Sequence, residues 1–333
     1  MTQLTEPSSV RETAADIAAV ASLLEIGDRL GVIHLLEGGD AFTVDDLAAA
    51  AEVPAEGARA YVDALIAAAV LVPAGAPGAY AAASDFEERR YESGYLSWAL
   101  NANRPFIEHA AEFLRSPAES RARYPRDGRQ VAVSSRWMGS HAFYPIALST
   151  ILEAAPRHVV DLGAGTGQLL IEILRARPES TAVALDLDHG ACVEAVRAGR
   201  QAGVGDRLTV VERSIQSVAD DPSPVDGADV VHAGFVFHDM MPEEEHIADG
   251  VLRNCREALR PGGVMAMTEA VPYVPNERER RFSTIVTYYH QQFMARRLLD
   301  EQEWQDKLRA AGFSDVKCIH HRFPTGRLFV AVK

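Results

Sequence analysis

Cysteine is scarce in this chain, with three among 333 residues, at positions 192, 255 and 318. An odd number so widely spaced gives no disulfide framework and no CxxC metal site, and it fits a reducing compartment. Basic residues are also in deficit. The 33 Lys and Arg stand against 47 Asp and Glu, for a formal net charge of −14. Such a balance repels phosphate backbones and disfavours nucleic acid as the main partner. Long hydrophobic runs are missing as well. The first residues lack a basic segment, and their longest apolar stretch, Ile17–Ile26, is broken by Glu25. Neither a secretory signal nor a membrane span is expected, so the expected location is cytoplasmic. What is present is an ordinary 47% of hydrophobic residues. That excludes wholesale disorder and a coiled-coil rod, and at roughly 100–200 residues per domain the length suggests two domains.

Alanine dominates the first third, where amphipathic periods predict helices around 11–36, 43–51 and 56–70. Thr43 with Asp45 and Asp46 supplies a cap and an acidic first turn. Leu71-Val72-Pro73 and Ala79-Tyr80-Ala81 flank a Gly/Pro-rich tip and predict a hairpin. Helix-turn-helix plus hairpin is a winged-helix pattern. Its second helix, Ala55–Ala69, carries only Arg59 as a base, which favours dimerisation over DNA binding. The expected division is a winged-helix dimerisation domain at 1–84, a helical connector or substrate lid at 85–150, and a catalytic domain at 151–333. The connector holds Tyr91, Tyr95, Trp98 and an Arg-rich loop near Ser120–Arg129.

After Pro156 the pattern changes. Apolar runs at 158–162, 182–187, 208–212, 229–233 and 263–268 alternate with helical segments, which predicts a parallel α/β sheet of Rossmann type. A last helix, Glu301–Ala311, precedes strands at 315–321 and 327–332. Asp161-Leu162-Gly163-Ala164-Gly165-Thr166-Gly167 joins the first strand to a helix, and Asp186 closes the second strand. The glycines permit a sharp turn and a close backbone approach to a ligand. A dinucleotide fingerprint needs its last glycine at 168, where Gln168 stands. The loop and the acid together resemble class I S-adenosylmethionine-dependent methyltransferases. That resemblance implies that Asp161, Gly163, Gly165 and Gly167 line the cofactor and that Asp186 binds its ribose. Ser214 stands where that family often has an adenine-contacting acid.

His238 follows the fourth strand in Phe237-His238-Asp239-Met240, and Asn254–Gly263 continues the pattern. Together these resemble the winged-helix small-molecule O-methyltransferases over nearly the whole chain, where the matching histidine deprotonates a phenol. Imidazole suits that task because it titrates near neutrality. A narrower resemblance involves His290, within a predicted helix Phe282–Leu298, and Arg126 in Tyr124-Pro125-Arg126-Asp127. It is to metal-dependent 2-oxo acid C-methyltransferases of peptide-antibiotic pathways. The resemblance implies a homodimer in which His238 and His290 bind zinc, iron or nickel. It also implies that Arg126 and Trp98 contact a substrate of phenylpyruvate, 4-methyl-2-oxopentanoate or indolepyruvate type. The methyl would pass to C3 of a metal-bound enolate, with Asp239 or a metal-bound hydroxide taking the proton. This C-methylation is the main expectation. The alternatives are a metal-free O-methyltransferase with His238 as base and a winged-helix ligand-sensing regulator. His320-His321 is rejected as a chelating pair, since adjacent strand residues point to opposite faces.

Overall fold

Alternating periods along the chain become two separate units in the computed structural model, which describes residues 13–333. The first unit comprises residues up to Glu108 together with Pro125–His141. The helix expected over 11–36 is two helices, Thr13–Arg29 and Ile33–Glu37, because the chain turns at Gly31. The first two residues of that expected helix lie outside the described residues. Thr43 caps helix Val44–Ala51 through a reciprocal bond with Asp46, and helix Ala55–Ala67 follows. The hairpin forms from β2 (Leu71–Pro73) and β3 (Ala79–Ala82), and β3 also pairs with a short unanticipated strand, β1 (Phe42–Thr43). Leu24, Leu36, Leu47, Leu65 and Trp137 fill the core of this unit, so its stability comes from apolar burial. No helix among the described residues is long and apolar enough to cross a membrane.

The second unit comprises His109–Tyr124 and Ala142–Lys333. Its strands are β4 (His158–Leu162), β5 (Thr181–Asp186), β6 (Leu208–Glu212), β7 (Val230–Gly234), β8 (Val264–Ala270), β9 (Ser314–His320) and β10 (Gly326–Val332). They lie in the order β6-β5-β4-β7-β8-β10-β9. The first five strands are parallel, and β10 inserts antiparallel between β8 and β9. Alternation sends Val160, Val231, Met267 and Phe329 into one apolar layer and Val159, Val230, Ala266 and Leu328 into the other. The doubly covered sheet brings the carboxyl ends of β4, β5, β7 and β8 to one edge, where such sheets bind ligands. The helix expected over Phe282–Leu298 is shorter. It runs Arg280–Tyr288, passes into a π-turn at Tyr289–Phe293 and ends there.

Gly326 begins β10 opposite Ala270, at that same edge. A Cβ at this glycine would approach His321 Cε1 to 1.8 Å, so no larger residue fits. His321 is only 4% exposed and packs near Phe143 and Phe323. Burial, reinforced by Arg327 and His320 against the opposing pull of Glu279, pushes its imidazole down to about 3. Above the ordinary histidine value of 6.5, the imidazole is neutral both folded and unfolded. Below that value the unfolded chain takes up a proton that the folded imidazole refuses, so stability falls as the pH drops toward about 3. Urea unfolding at several pH values should show this acid loss, and His321→Leu should flatten it. Parallel pH profiles for the two proteins would refute the assignment.

Candidate active site

The loop after β4 is held by main-chain bonds that only a tight turn allows. Gly163 N–H and Ala164 N–H both donate to the Leu185 carbonyl, at 2.8 and 3.0 Å. Gly163 has φ +75°, and a Cβ there would meet Val236 Cγ1 at 2.5 Å. Glycine is therefore required twice over, by conformation and by space. Gly165 N–H donates to Asp186 Oδ2 at 2.8 Å, while Asp186 Oδ1 accepts from Asp188 N–H at 2.9 Å. The acid at the end of β5 thus faces the loop and organises it. Gly167 precedes helix Gln168–Ala176, whose first amides are turned toward the same loop. Asp161 is buried at the foot of the loop, with Oδ1 2.7 Å from His232 Nδ1 on β7. Ser214 follows β6 and opens the short turn Ile215–Ala219. A glycine cradle, an acid beside it and amides at a helix start form a set suited to an adenosyl cofactor.

His238 lies in a single turn, Phe237–Met240, just beyond β7. The turn is preceded by Phe235, a non-glycine residue at φ +56°, whose N–H donates to the Thr268 carbonyl at 2.7 Å. Strain of this kind persists only where surrounding contacts enforce it. His238 is 7% exposed, and its Nδ1 sits 2.6 Å from Glu269 Oε2. Glu269 is fully buried on β8, and its other oxygen accepts from Phe237 N–H at 2.8 Å. A carboxylate so placed selects the tautomer with hydrogen on Nδ1 and the lone pair on Nε2. That arrangement fixes the orientation of the His238 ring.

His290 occupies the π-turn, a distortion frequent at functional sites. Its Nδ1 donates to the Val286 carbonyl at 2.7 Å, and its ring centroid lies 5.1 Å from that of His238, at 73°. Its Nε2 is likewise left with the lone pair. Asp239 is half-exposed, 3.8 Å from His238 Nε2 and 3.5 Å from Arg296 Nε. The second unit thus brings Asp161, the three glycines, Asp186, Ser214, His238, Asp239 and His290 to its carboxyl edge. Trp98 and Arg126 belong to the first unit. Trp98 is buried in a π-turn, Ser97–Ala102, and Arg126 is half-buried before helix Gly128–Ala142.

Reading the sequence missed Glu269 and His232. The fifth strand was expected to stop at 268, one residue short of Glu269. An acid inside an apolar strand with no basic neighbour is the signal that finds it, because a lone buried charge requires a partner.

The fold is the Rossmann-type α/β architecture also found in solved S-adenosylmethionine-dependent methyltransferases. Residues 160–265 match the family model described as a methyltransferase domain. The chain is similar to aclacinomycin 10-hydroxylase RdmB of Streptomyces purpurascens, 32% identical over 161 residues, 48% of this chain and 41% of that protein. It is similar to phenazine O-methyltransferase PhzM of Lysobacter antibioticus, 30% identical over 156 residues, 47% of this chain and 42% of that protein. It is also similar to 2-ketoarginine methyltransferase of Streptomyces arginensis, 27% identical over 197 residues, 56% of this chain and 55% of that protein. The matched segments span about half or less of these relatives. Human N-acetylserotonin methyltransferase in complex with SAM shares the fold, with a TM-score of 0.58 at 19% identity over 98% of this chain and 99% of that one. The second unit therefore shares the fold of these methyltransferases.

Gly163→Ala should weaken binding of S-adenosylhomocysteine by at least about tenfold in calorimetric titration, since both the positive φ and the Val236 contact oppose a Cβ. Wild-type affinity in a folded variant would show that this loop is not the cofactor cradle.

Proposed function

We propose that this protein is a small-molecule O-methyltransferase in which His238, oriented by Glu269, takes the proton from a substrate hydroxyl. The observation that carries the reading is the fully buried contact between His238 Nδ1 and Glu269 Oε2, 2.6 Å long. Gly163, Gly165, Gly167, Asp186 and Ser214 would hold S-adenosylmethionine, while Asp161 secures the loop through His232. Bound S-adenosylmethionine supplies an electrophilic methyl group on a sulfonium centre.

His238 Nε2 accepts the hydroxyl proton as the oxygen turns nucleophilic. The imidazolium so formed sits against a carboxylate in a water-poor setting, where opposite charges attract strongly. A phenol, at about 10, is close enough to imidazole, at about 6.5, for transfer during the reaction, whereas an aliphatic alcohol is far above both. The acceptor is thus assigned to the phenolic class. The similarity to a phenazine O-methyltransferase supports the same class. A homodimer formed through the N-terminal unit is part of this proposal.

A second reading rests on His290. Its ring lies 5.1 Å from that of His238, and each ring commits Nδ1 to a carboxylate or carbonyl acceptor. That is how metal-ligating histidines are oriented. The relative named 2-ketoarginine methyltransferase points toward 2-oxo acids. On this reading, C-methylation at C3, the Nε2 atoms of His238 and His290 would hold zinc, iron or nickel, supplying Lewis acidity to the oxygens of a 2-oxo acid. Arg126 and Trp98 are then the assigned substrate contacts, and Asp239 a candidate proton acceptor.

Phenols and 2-oxo acids should be assayed side by side with S-adenosylmethionine, with products identified by mass and NMR. The O-methylation reading expects methylated phenols. His238→Ala should lower kcat by about 10²–10⁴-fold and Glu269→Gln by at least about tenfold. His290→Ala should retain turnover. A C3-methylated 2-oxo acid, metal dependence and loss of activity in His290→Ala would overturn it in favour of the second reading.

A further inference from the structure

Outside that site, the edge strand β9 carries a second group of donor atoms. Cys318 and His320 are two residues apart and so share one face of the strand. Register places them beside Phe329 and Arg327 of β10. Helix Glu301–Ala310 begins over this face, fixed by a capping box between Asp300 and Glu303. Its first residue, Glu301, brings a carboxylate to the pair. One donor atom from each of Glu301, Cys318 and His320 lies within 4.8 Å of the other two. No other three such side chains among the described residues converge in this way.

The group sits in an ion-pair network that carries one negative charge in excess. Glu301 Oε1 lies 3.2 Å from His320 Nε2 and accepts from Arg327 Nε at 2.5 Å. Arg327 is 1% exposed and also donates through Nη2 to Glu279 Oε2 at 3.1 Å. Since Glu279 balances the buried guanidinium, the negative charge of Glu301 remains to offset a second cation. Burial and Glu301 push the Cys318 thiol up to about 12, so without a bound cation the sulfur keeps its proton. His320 is 56% exposed along its side chain, which leaves the group open to solvent.

We propose that Cys318, His320 and Glu301 form a binding site for a thiophilic divalent cation of the zinc type. A thiolate, an imidazole and a carboxylate match the donor set that zinc accepts in tetrahedral geometry, and they disfavour calcium and magnesium, which require oxygen ligands throughout. Three protein ligands leave the fourth position to water. The cation enters as Cys318 releases its proton to solvent, and the thiolate and the carboxylate together neutralise its charge while the imidazole binds as a neutral donor. Occupancy ties the start of helix Glu301–Ala310 to β9.

Cobalt(II) is the probe, added to purified full-length protein after chelator treatment. One equivalent should produce a thiolate-to-cobalt absorption band in the near ultraviolet. Cys318→Ser should abolish the band, and His320→Ala should weaken binding by at least about tenfold, the loss that even outer-shell partners cause. His238 and His290 have no sulfur in their pairing, so a metal held there gives no such band, and the outcome is independent of the methyl-transfer chemistry. The proposal is overturned if no band appears, or if the band survives in Cys318→Ser, which retains Cys192 and Cys255. If Cys318→Ser fails to fold by circular dichroism, His320→Ala decides, and unchanged cobalt affinity in that variant overturns the proposal.

Discussion

A carboxylate removed from water costs several kcal/mol unless its oxygens are bonded, and this molecule removes one at the centre of its edge. Glu269 is tolerated because Phe237 N–H satisfies one oxygen and His238 the other. Both partners come from the turn beyond β7, so the acid on β8 dictates where that turn must sit. Phe235 is forced into the left-handed region to place it there, and the same stretch puts Val236 against Gly163. One buried charge thereby links the base, the strained turn and the glycine loop. Replacing any of the three disturbs the other two, because none has room to relax independently.

The fold itself does not choose the chemistry. Comparable identity relates this chain to proteins named as a 10-hydroxylase, a phenazine O-methyltransferase and a 2-ketoarginine methyltransferase. Fold sets where a ligand lies, and side chains at that place set what happens to it. Here the discriminating group is an imidazole with its tautomer set by a buried acid. The feature a second chemistry would use is the neighbouring imidazole. His290 reaches that position because its helix slips into a π-turn, which re-aims one side chain without a loop.

Much of this was legible in the residues. Five apolar runs separated by helical periods specify the parallel strands, and their observed ends differ from expectation by only one or two residues. Gly163 and Gly165 were marked by the spacing of a tight turn, Asp186 by its place at the end of the second strand, and their ligand roles by family resemblance. The insertion of β10 between β8 and β9 was not legible, since a strand's partner is chosen in space and leaves no periodic trace. The helix over Phe282–Leu298 was drawn too long for a similar reason. Apolar spacing continues past Phe293, and Leu298 and Leu299 are buried there by a segment that is not helical. Glu269 escaped because sequence patterns reward apolar residues in strands and treat an acid as an end. Here the acid lies inside the strand and holds His238.

The proposed base must also return its proton. His238 is 7% exposed and its Nδ1 is committed, so the proton acquired at Nε2 leaves from the same side on which the substrate sits. Asp239 stands on that side, 3.8 Å from Nε2, with half of its side chain in water and Arg296 nearby at 3.5 Å. Its separation is too long for a direct hydrogen bond, so a small movement of the exposed carboxylate completes the contact. The two carboxylates flanking the imidazole then divide the work by burial. Glu269, sealed from solvent, fixes the tautomer and stabilises the charged ring. Asp239, half in water and therefore weakly coupled, gives the proton a way out once product has left. Had both acids been buried, the imidazolium would be held too tightly to recycle, and had both been exposed, neither would orient the ring. On the proposed reading, that asymmetry in solvent contact lets one histidine serve as the base turnover after turnover.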